Sequence, residues 1–172
     1  MAFNPREIFA ALDKAQACYV VVGGLAVILH GHLRATRDID LVIGLEPSNC
    51  QKALQALEAA GLRPRLPVTM QDFADPDKRR DWHDNRHMLV FQLWDPKNAL
   101  RSIDIFVHEP IDFGLLWRDA VIKDYDGVPV RVACIPHLIE MKSMANRPQD
   151  RADIEQLRAI QQEIAAGIKA SP

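Results

Sequence analysis

The sequence predicts an α/β (α+β) fold, in which helices flank a mixed β-sheet and further helices follow at the C-terminus. In the first third of the chain, short apolar runs rich in β-branched residues alternate with amphipathic segments in the order α-β-α-β-α. Strand-like runs and then helical runs follow, with no repeat, low-complexity segment or linker. We therefore expect one domain over residues 1–172, with a core at about 18–134 and C-terminal helices at 135–168.

Helix caps, turn residues and apolar periodicity predict the individual elements in chain order. The first five are a helix from Asn4-Pro5 to about Gln16, a strand at 18–24, a helix at 25–31, a strand at 39–43 and a helix from Ser48 to Gly61. Residues 62–88 predict a charged loop with a short helix. The remaining elements are strands at 87–94 and 102–108, a helix at 113–120, a hairpin around Asp126-Gly127 and helices from Ile135 that are broken at Arg147-Pro148.

Composition excludes several functional classes. The 172-residue chain has a net charge of −2, so it has no overall positive surface for nucleic acid or an anionic membrane. Its three cysteines lie far apart, which argues against a disulfide framework or a structural zinc site and suits a reducing compartment. The N-terminus does not read as a signal peptide, and no apolar run is long enough to span a membrane. We expect a cytoplasmic protein without a membrane partner.

Two aspartates flank an isoleucine in the segment RATRDIDLVI, residues 34–43. Alternate residues of a strand point to the same face, so Asp38 and Asp40 repel each other unless a positive charge lies between them. One explanation is a turn at Asp38 and an ion pair of Asp40 with Arg34 or Arg37. The other explanation is a bound cation.

A third carboxylate, Asp104, lies inside the apolar strand SIDIFVH. An ionised, unpaired acid in such a strand costs several kcal/mol. Three acids on neighbouring strands suit a site for two Mg²⁺ ions, because hard cations take oxygen ligands and offset the repulsion between like charges. The strand-to-helix turn at Gly23-Gly24 also leaves backbone N–H groups that can hold a phosphate.

These residues resemble the nucleotidyltransferase fold of the polymerase β superfamily. The resemblance lies in Gly23-Gly24 after an apolar strand, in the Asp38-Ile39-Asp40 motif and in the later strand with IDIF at 103–106. The segment 142–153 is similar to the lysine-to-arginine-to-aspartate segment of small AbiEii-like abortive-infection nucleotidyltransferase toxins. Here the chain has Gln149-Asp150 where that family often has Lys-Asp.

The resemblance implies a minimal nucleotidyltransferase that moves a nucleoside monophosphate (NMP) from an NTP to a hydroxyl acceptor. It implies that Asp38, Asp40 and Asp104 are catalytic and hold two Mg²⁺ ions, for which Mn²⁺ can substitute, with Asp104 as the general base. Arg34 and Thr36 would order the acidic loop, while Arg37 has no assigned role. The residues implied in nucleotide binding are Gly23, Gly24, Arg34, Thr36, Lys142, Arg147 and Asp150.

Three functions follow from the resemblance. The first is a toxin-like enzyme whose acceptor is tRNA or a protein side chain and whose partner is a cognate antitoxin. The second is a small-molecule transferase of the kind that inactivates lincosamide or aminoglycoside antibiotics. The third is a catalytically silent binding partner, such as an antitoxin or scaffold, that keeps the same fold.

Several residues also have simpler structural interpretations. Lys142 follows apolar helix positions and would expose its amine, while Asp150 is placed to cap the last helix and to pair with Arg147. The segment 78–83 combines basic residues with Trp82, which suits either acceptor binding or a mixed-charge surface loop. His83 lies four residues before His87, a spacing that occurs in zinc sites, although no third ligand is nearby.

Overall fold

The computed structural model describes residues 4–168. Within that range the helices are α1 (Pro5–Lys14), α2 (Gly23–Leu29), α3 (Pro47–Ala59), α4 (Met70–Ala74), α5 (Pro76–Arg86), α6 (Phe113–Asp119), α7 (Ile135–Ala145) and α8 (Pro148–Ala165). The strands are β1 (Tyr19–Val22), β2 (Asp38–Ile43), β3 (Arg63–Pro64), β4 (Val90–Asp95), β5 (Asn98–Phe106), β6 (Val121–Tyr125) and β7 (Val128–Val132). The predicted mixed α/β fold is confirmed.

All these strands form one mixed sheet in the order β3-β4-β5-β2-β1-β7-β6. β2 runs parallel to β5 and antiparallel to β1, while β1 runs parallel to β7. The hairpins β4-β5 and β6-β7 complete the two sides of the sheet. Asp126 and Gly127 both have positive φ at the β6-β7 turn, as the predicted type I′ turn requires.

The two faces of the central strands differ in polarity because side chains alternate along each strand. One face is apolar: Ile39, Leu41, Ile103, Ile105 and Phe91 are buried on it. Helices pack against this apolar face, where Phe9 of α1 stacks on Tyr19 and Trp82 of α5 stacks on Phe91. The opposite face of the same strands, which we call the acidic face, carries Asp38, Asp40, Ser102, Asp104, Gln92 and Trp94.

Residues 62–88 are more regular than the sequence predicted. Instead of a loop with one short helix, they contain β3, α4 and α5. Thr69 and Asp72 form a capping box at the start of α4, and the Asp75 side chain accepts backbone hydrogen bonds at the start of α5. These caps satisfy N–H groups that a polar, charge-dense segment would otherwise leave to water. A smaller correction concerns α3, which begins at Pro47 and not at Ser48.

Candidate active site

The acidic face brings the three predicted aspartates onto adjacent strands. In the β2-β5 register Asp40 lies directly opposite Asp104, and Asp38 lies opposite Ser102. The Ser102 hydroxyl donates a hydrogen bond to Asp38 Oδ1. Gln92 lies on the far side of Asp104, and its Nε2 donates to Asp104 Oδ1 at 3.0 Å. The sheet register therefore places all three carboxylates within one small region.

Gly23 and Gly24 pack tightly against this region at the start of α2. Gly23 has a φ of +64°, and a Cβ added there would lie 1.9 Å from Asp40 Oδ2. A Cβ on Gly24 would lie 2.6 Å from Thr36 Oγ1 and 3.3 Å from Arg34 Cζ. Neither position accepts a larger residue without displacing a predicted site residue, so both glycines allow the close approach of α2 to the loop before β2.

Among the three aspartates, Asp40 has the largest shift in pKa. Burial raises the pKa of Asp40 from its ordinary value of 3.8 to about 7, and the nearby charges of Asp104 and Asp38 act in the same direction. A backbone hydrogen bond from Gly24 and the charge of Lys142 oppose this change. The pKa of Asp104 is also raised, chiefly by burial, while the hydrogen bond from Gln92 acts against the rise. The site thus holds excess negative charge.

The donor set of this region fits Mg²⁺, which prefers carboxylate oxygens and offsets their mutual repulsion. The chemistry of the donor set supports the fit, since Asp40 lies opposite Asp104 and, within the described residues, no ion pair neutralises Asp38 or Asp40. In their present positions, no three or more Asp, Glu, His or Cys side chains of residues 4–168 are grouped to hold a metal ion. Ser102 donates to Asp38, and Gln92 donates to Asp104.

Lys142 is buried within an ion-pair network and does not expose its amine, so that expectation is wrong. Its Nζ donates to Asp153 Oδ2 at 2.7 Å and to Asp150 Oδ1 at 3.4 Å, and the residue is 6% exposed. The physical reason is the packing of α7 against α8, which the helical pattern of α7 alone does not reveal. Asp153 is fully buried between these groups.

The loop before β2 joins the same network. Arg34 Nη1 donates to Asp153 Oδ2 at 2.6 Å, so Arg34 is paired with α8 and not with Asp40. Thr36 Oγ1 donates to the backbone oxygen of Asp38 at 3.4 Å. Within the described residues, no ion pair involves Asp38 or Asp40. Across residues 4–168, the simple ion-pair explanation for Asp40 therefore holds with neither Arg34 nor Arg37.

Arg147 and Asp150 form the predicted cap and ion pair at the start of α8. The Asp150 carboxylate accepts from the Arg147 backbone N–H at 3.1 Å and from its Nε at 2.8 Å. Burial raises the pKa of Asp150, but these bonds and the charge of Lys142 outweigh it and lower the pKa overall. The Arg147 side chain is 74% exposed, and its charge is close enough to interact with Asp40.

A known protein family matches almost the whole described chain. The model of the family described as "Nucleotidyltransferase of unknown function (DUF6036)" matches residues 5–165. The chain belongs to this nucleotidyltransferase family. Curated proteins give no sequence match to this member of the family.

Solved structures share the fold of this nucleotidyltransferase at low sequence identity. The crystal structure of the lincosamide antibiotic adenylyltransferase LnuA with lincomycin bound has a TM-score of 0.58 and 20% identity, over 90% of this chain and 96% of that one. ANT(2")-Ia in complex with adenylyl-2"-tobramycin has a TM-score of 0.57 and 17% identity, over 94% of this chain and 88% of that one. A solution structure of the antibiotic-resistance factor ANT(2'')-Ia has a TM-score of 0.56 and 18% identity, over 94% of this chain and 83% of that one.

The structure bears on two open interpretations of residues 78–88, which lie in and just after helix α5 and not in a loop. Arg79 is 6% exposed and donates to the backbone oxygen of Phe73, and Trp82 is 5% exposed against Phe91, so neither side chain is available to a polyanionic acceptor. Although α5 is helical, His87 lies just beyond its last turn with a φ of 52°. The ring that lies beside His83 is that of His108, with centroids 4.0 Å apart.

Sequence reasoning missed Gln92, Ser102 and Asp153 as residues that hold the site together. Gln92 could have been found from the sequence. It is an amide inside the apolar run VFQLW, and a buried amide, like the buried Asp104 carboxylate, needs a hydrogen-bond partner. Ser102 carried no comparable signal, since only the strand register brings it to the site. Asp153 ends the segment 142–153 that carries the resemblance, but only the packing of α8 reveals its contacts with Lys142 and Arg34. Across residues 4–168, no helix is long and apolar enough to cross a membrane.

Proposed function

We propose that this nucleotidyltransferase transfers an NMP from an NTP to a hydroxyl acceptor and releases pyrophosphate, in the cytoplasm where NTPs are available. The single observation that supports this reaction best is the placement of Asp40 directly opposite Asp104 on parallel strands, with Gly23 packed against the Asp40 carboxylate. Buried acids are kept together in this way at a cost to folding, which suits a site that is completed by ligands.

Asp38, Asp40 and Asp104 would hold two Mg²⁺ ions, with Mn²⁺ as a substitute. When bound, the ions neutralise phosphate charge and make the acceptor hydroxyl more acidic. Asp104 accepts the proton of that hydroxyl, since it lies on β5 directly opposite Asp40 and has no ion pair within the described residues. Gln92 donates to Asp104 Oδ1 and so helps to orient this carboxylate.

The nucleotide lies on the side of Asp40 that carries α2 and the start of α8. Gly23 and Gly24 allow close approach of a phosphate, and Arg34 and Thr36 fix the loop beside them. Arg147 offers the accessible charge for triphosphate oxygens because its side chain is 74% exposed. The amine of Lys142 already donates to Asp150 and Asp153, so Lys142 fixes these two side chains. Its positive charge also acts on Asp40.

A small-molecule acceptor is better supported than a tRNA or protein acceptor. The basic and aromatic segment 78–83, one candidate for binding a polyanion, has Arg79 and Trp82 in the interior. The chain also covers 96% of LnuA, a protein whose structure contains lincomycin, so a small molecule is accommodated within a chain of nearly this extent. The toxin-like function, with a cognate antitoxin, remains the competing proposal.

Label transfer tests the reaction and the acceptor together. The protein is incubated with each α-labelled NTP, Mg²⁺ and separate pools of tRNA, cell protein and hydroxylated small molecules that include lincomycin and tobramycin. We expect label in a small-molecule product and none with Asp104→Asn. Label in tRNA or protein would support the toxin-like function. No label in any pool from the wild type would contradict NMP transfer and favour the catalytically silent partner.

A further inference from the structure

We infer that the acceptor binds over Trp94 and Arg65, beside Asp104, and carries an anionic group as well as the hydroxyl that is modified. This inference rests on the proposed NMP transfer and adds the position and chemical class of the acceptor. It follows from the order of groups across the acidic face, from the contacts of Arg65 with Trp94 and from the charge that Arg65 presents.

The order of groups across the acidic face separates the nucleotide from the acceptor. The strands run β4-β5-β2-β1, so Gln92 and Trp94 lie on one side of Asp104, while Asp40 and Gly23 lie on the other. In an in-line phosphoryl displacement the attacking oxygen enters opposite the leaving oxygen. With the triphosphate on the Gly23 side, the attacking hydroxyl comes from the β4 side, where Trp94 lies.

Trp94 and Arg65 form a partly exposed surface at that position. Trp94 pairs with Ser102 across the β4-β5 ladder, so its ring shares the face of Asp104 and Asp38. The Arg65 backbone N–H donates to the Gln92 carbonyl at 3.0 Å, which continues the β3-β4 pairing, and Arg65 Cζ lies 5.7 Å from the centroid of the Trp94 ring. The ring offers an apolar plane and the guanidinium a fork of donors above it.

The charge of Arg65 selects the class of acceptor. Arg65 is exposed, and its guanidinium has no ion pair within residues 4–168, although it lies close enough to Asp104 to act on that carboxyl's pKa. A guanidinium with free donors binds carboxylate or phosphate oxygens in a bidentate manner. The same charge disfavours a polycationic acceptor, because an uncompensated like charge opposes binding. The acceptor is thus a hydroxylated molecule with a ring and an anionic group.

NMR of the full chain labelled with ¹⁵N tests this inference at the Trp94 indole N–H, which is assigned with Trp94→Phe. The probes are 4-nitrophenyl β-D-glucuronide, the matched 4-nitrophenyl β-D-glucoside and tobramycin. We expect the glucuronide to shift the Trp94 signal at about fivefold lower concentration than the glucoside, the scale of one exposed charge pair. Tobramycin should leave the signal in place. Arg65→Gln should remove the difference between the two glycosides.

Arg63→Gln is the matched control, since Arg63 lies two residues away on β3 but donates to the backbone oxygens of Glu58 and Leu62. It should preserve the difference. Equal responses to both glycosides, a response to tobramycin, or the same loss with Arg63→Gln would overturn the inference.

Kinetics on whichever acceptor takes the label separates this inference from the proposed function. Arg65→Gln should raise the KM for that acceptor about fivefold and leave the KM for the NTP unchanged. A change in the NTP KM alone would assign Arg65 to the nucleotide and overturn the inference while keeping NMP transfer. If no pool takes label but Trp94 responds as expected, NMP transfer is contradicted, and with it the assignment of this surface to an acceptor.

Discussion

Asp40→Asn should stabilise the protein at pH 8 in the absence of divalent cations. The substitution keeps the shape of the side chain and an oxygen that can accept from the Gly24 backbone N–H, but it removes the charge. In the wild type that charge is opposed by burial and by the carboxylates of Asp104 and Asp38. Removing it should therefore raise the free energy of unfolding, although the substitution should abolish the proposed NMP transfer.

The size of the effect follows from the pKa of Asp40. A rise from 3.8 to about 7 corresponds to roughly 4 kcal/mol against the charged form, because one pKa unit is about 1.4 kcal/mol. Between these pH values the folded state binds more protons than the unfolded state, so wild-type stability falls as the pH rises. The contribution of Asp40 should fall by about 2–3 kcal/mol between pH 5 and pH 8, and it should be absent in Asp40→Asn.

Urea unfolding of both proteins at pH 5 and pH 8, with EDTA present, measures this difference. Other acids titrate in both proteins, so the difference between the two reports Asp40 together with its coupling to Asp104 and Asp38. Asp77→Asn is the control, because the Asp77 side chain is 83% exposed and its loss should change stability by less than about 0.5 kcal/mol. A difference between wild type and Asp40→Asn that is the same at both pH values, or a variant less stable at pH 8, would refute the reasoning.

Three further predictions concern neighbouring residues. Asp104→Asn should abolish transfer while the Tm stays equal or rises, since it removes a like charge beside Asp40; a large fall in Tm would favour a structural ion pair. Lys142→Met should lower the free energy of unfolding by about 3 kcal/mol, because it leaves Asp150 and Asp153 buried without their shared amine. A loss under about 1 kcal/mol in urea unfolding would contradict that network. Gly23→Ala should lower both the free energy of unfolding and the rate of transfer, since the added Cβ would meet Asp40. Gly127→Ala is the control, because Gly127 has a φ of +80° and open space around it. This control should lower the free energy of unfolding by only about 1–2 kcal/mol and leave transfer intact.

Local signals in the sequence were sufficient for most of the fold. The cap at Asn4, the Asp126-Gly127 turn and the break at Arg147-Pro148 each act over a few residues, so the chain itself reveals where elements begin and end. The aspartates stood out for the same reason, because a charge inside an apolar strand has a cost that is visible without coordinates. The helices of residues 62–88 were missed because their apolar contacts lie on distant strands, as with Trp82 on Phe91.

By itself, the sequence determined which side chains could carry chemistry, since Asp38, Asp40, Asp104 and the two glycines are recognisable from their types and spacing. The tertiary structure decided which groups neutralise, fix or expose them. Lys142 looked exposed on its own helix, yet the packing of α7 against α8 buries it against Asp153, which also holds Arg34 from a loop far away in sequence. The strand register placed Gln92 on Asp104, and β3 placed Arg65 over Trp94. Pairings of this kind join residues that are distant along the chain, and the free energy that selects them comes from burying the whole sheet and its helices, which no local pattern encodes.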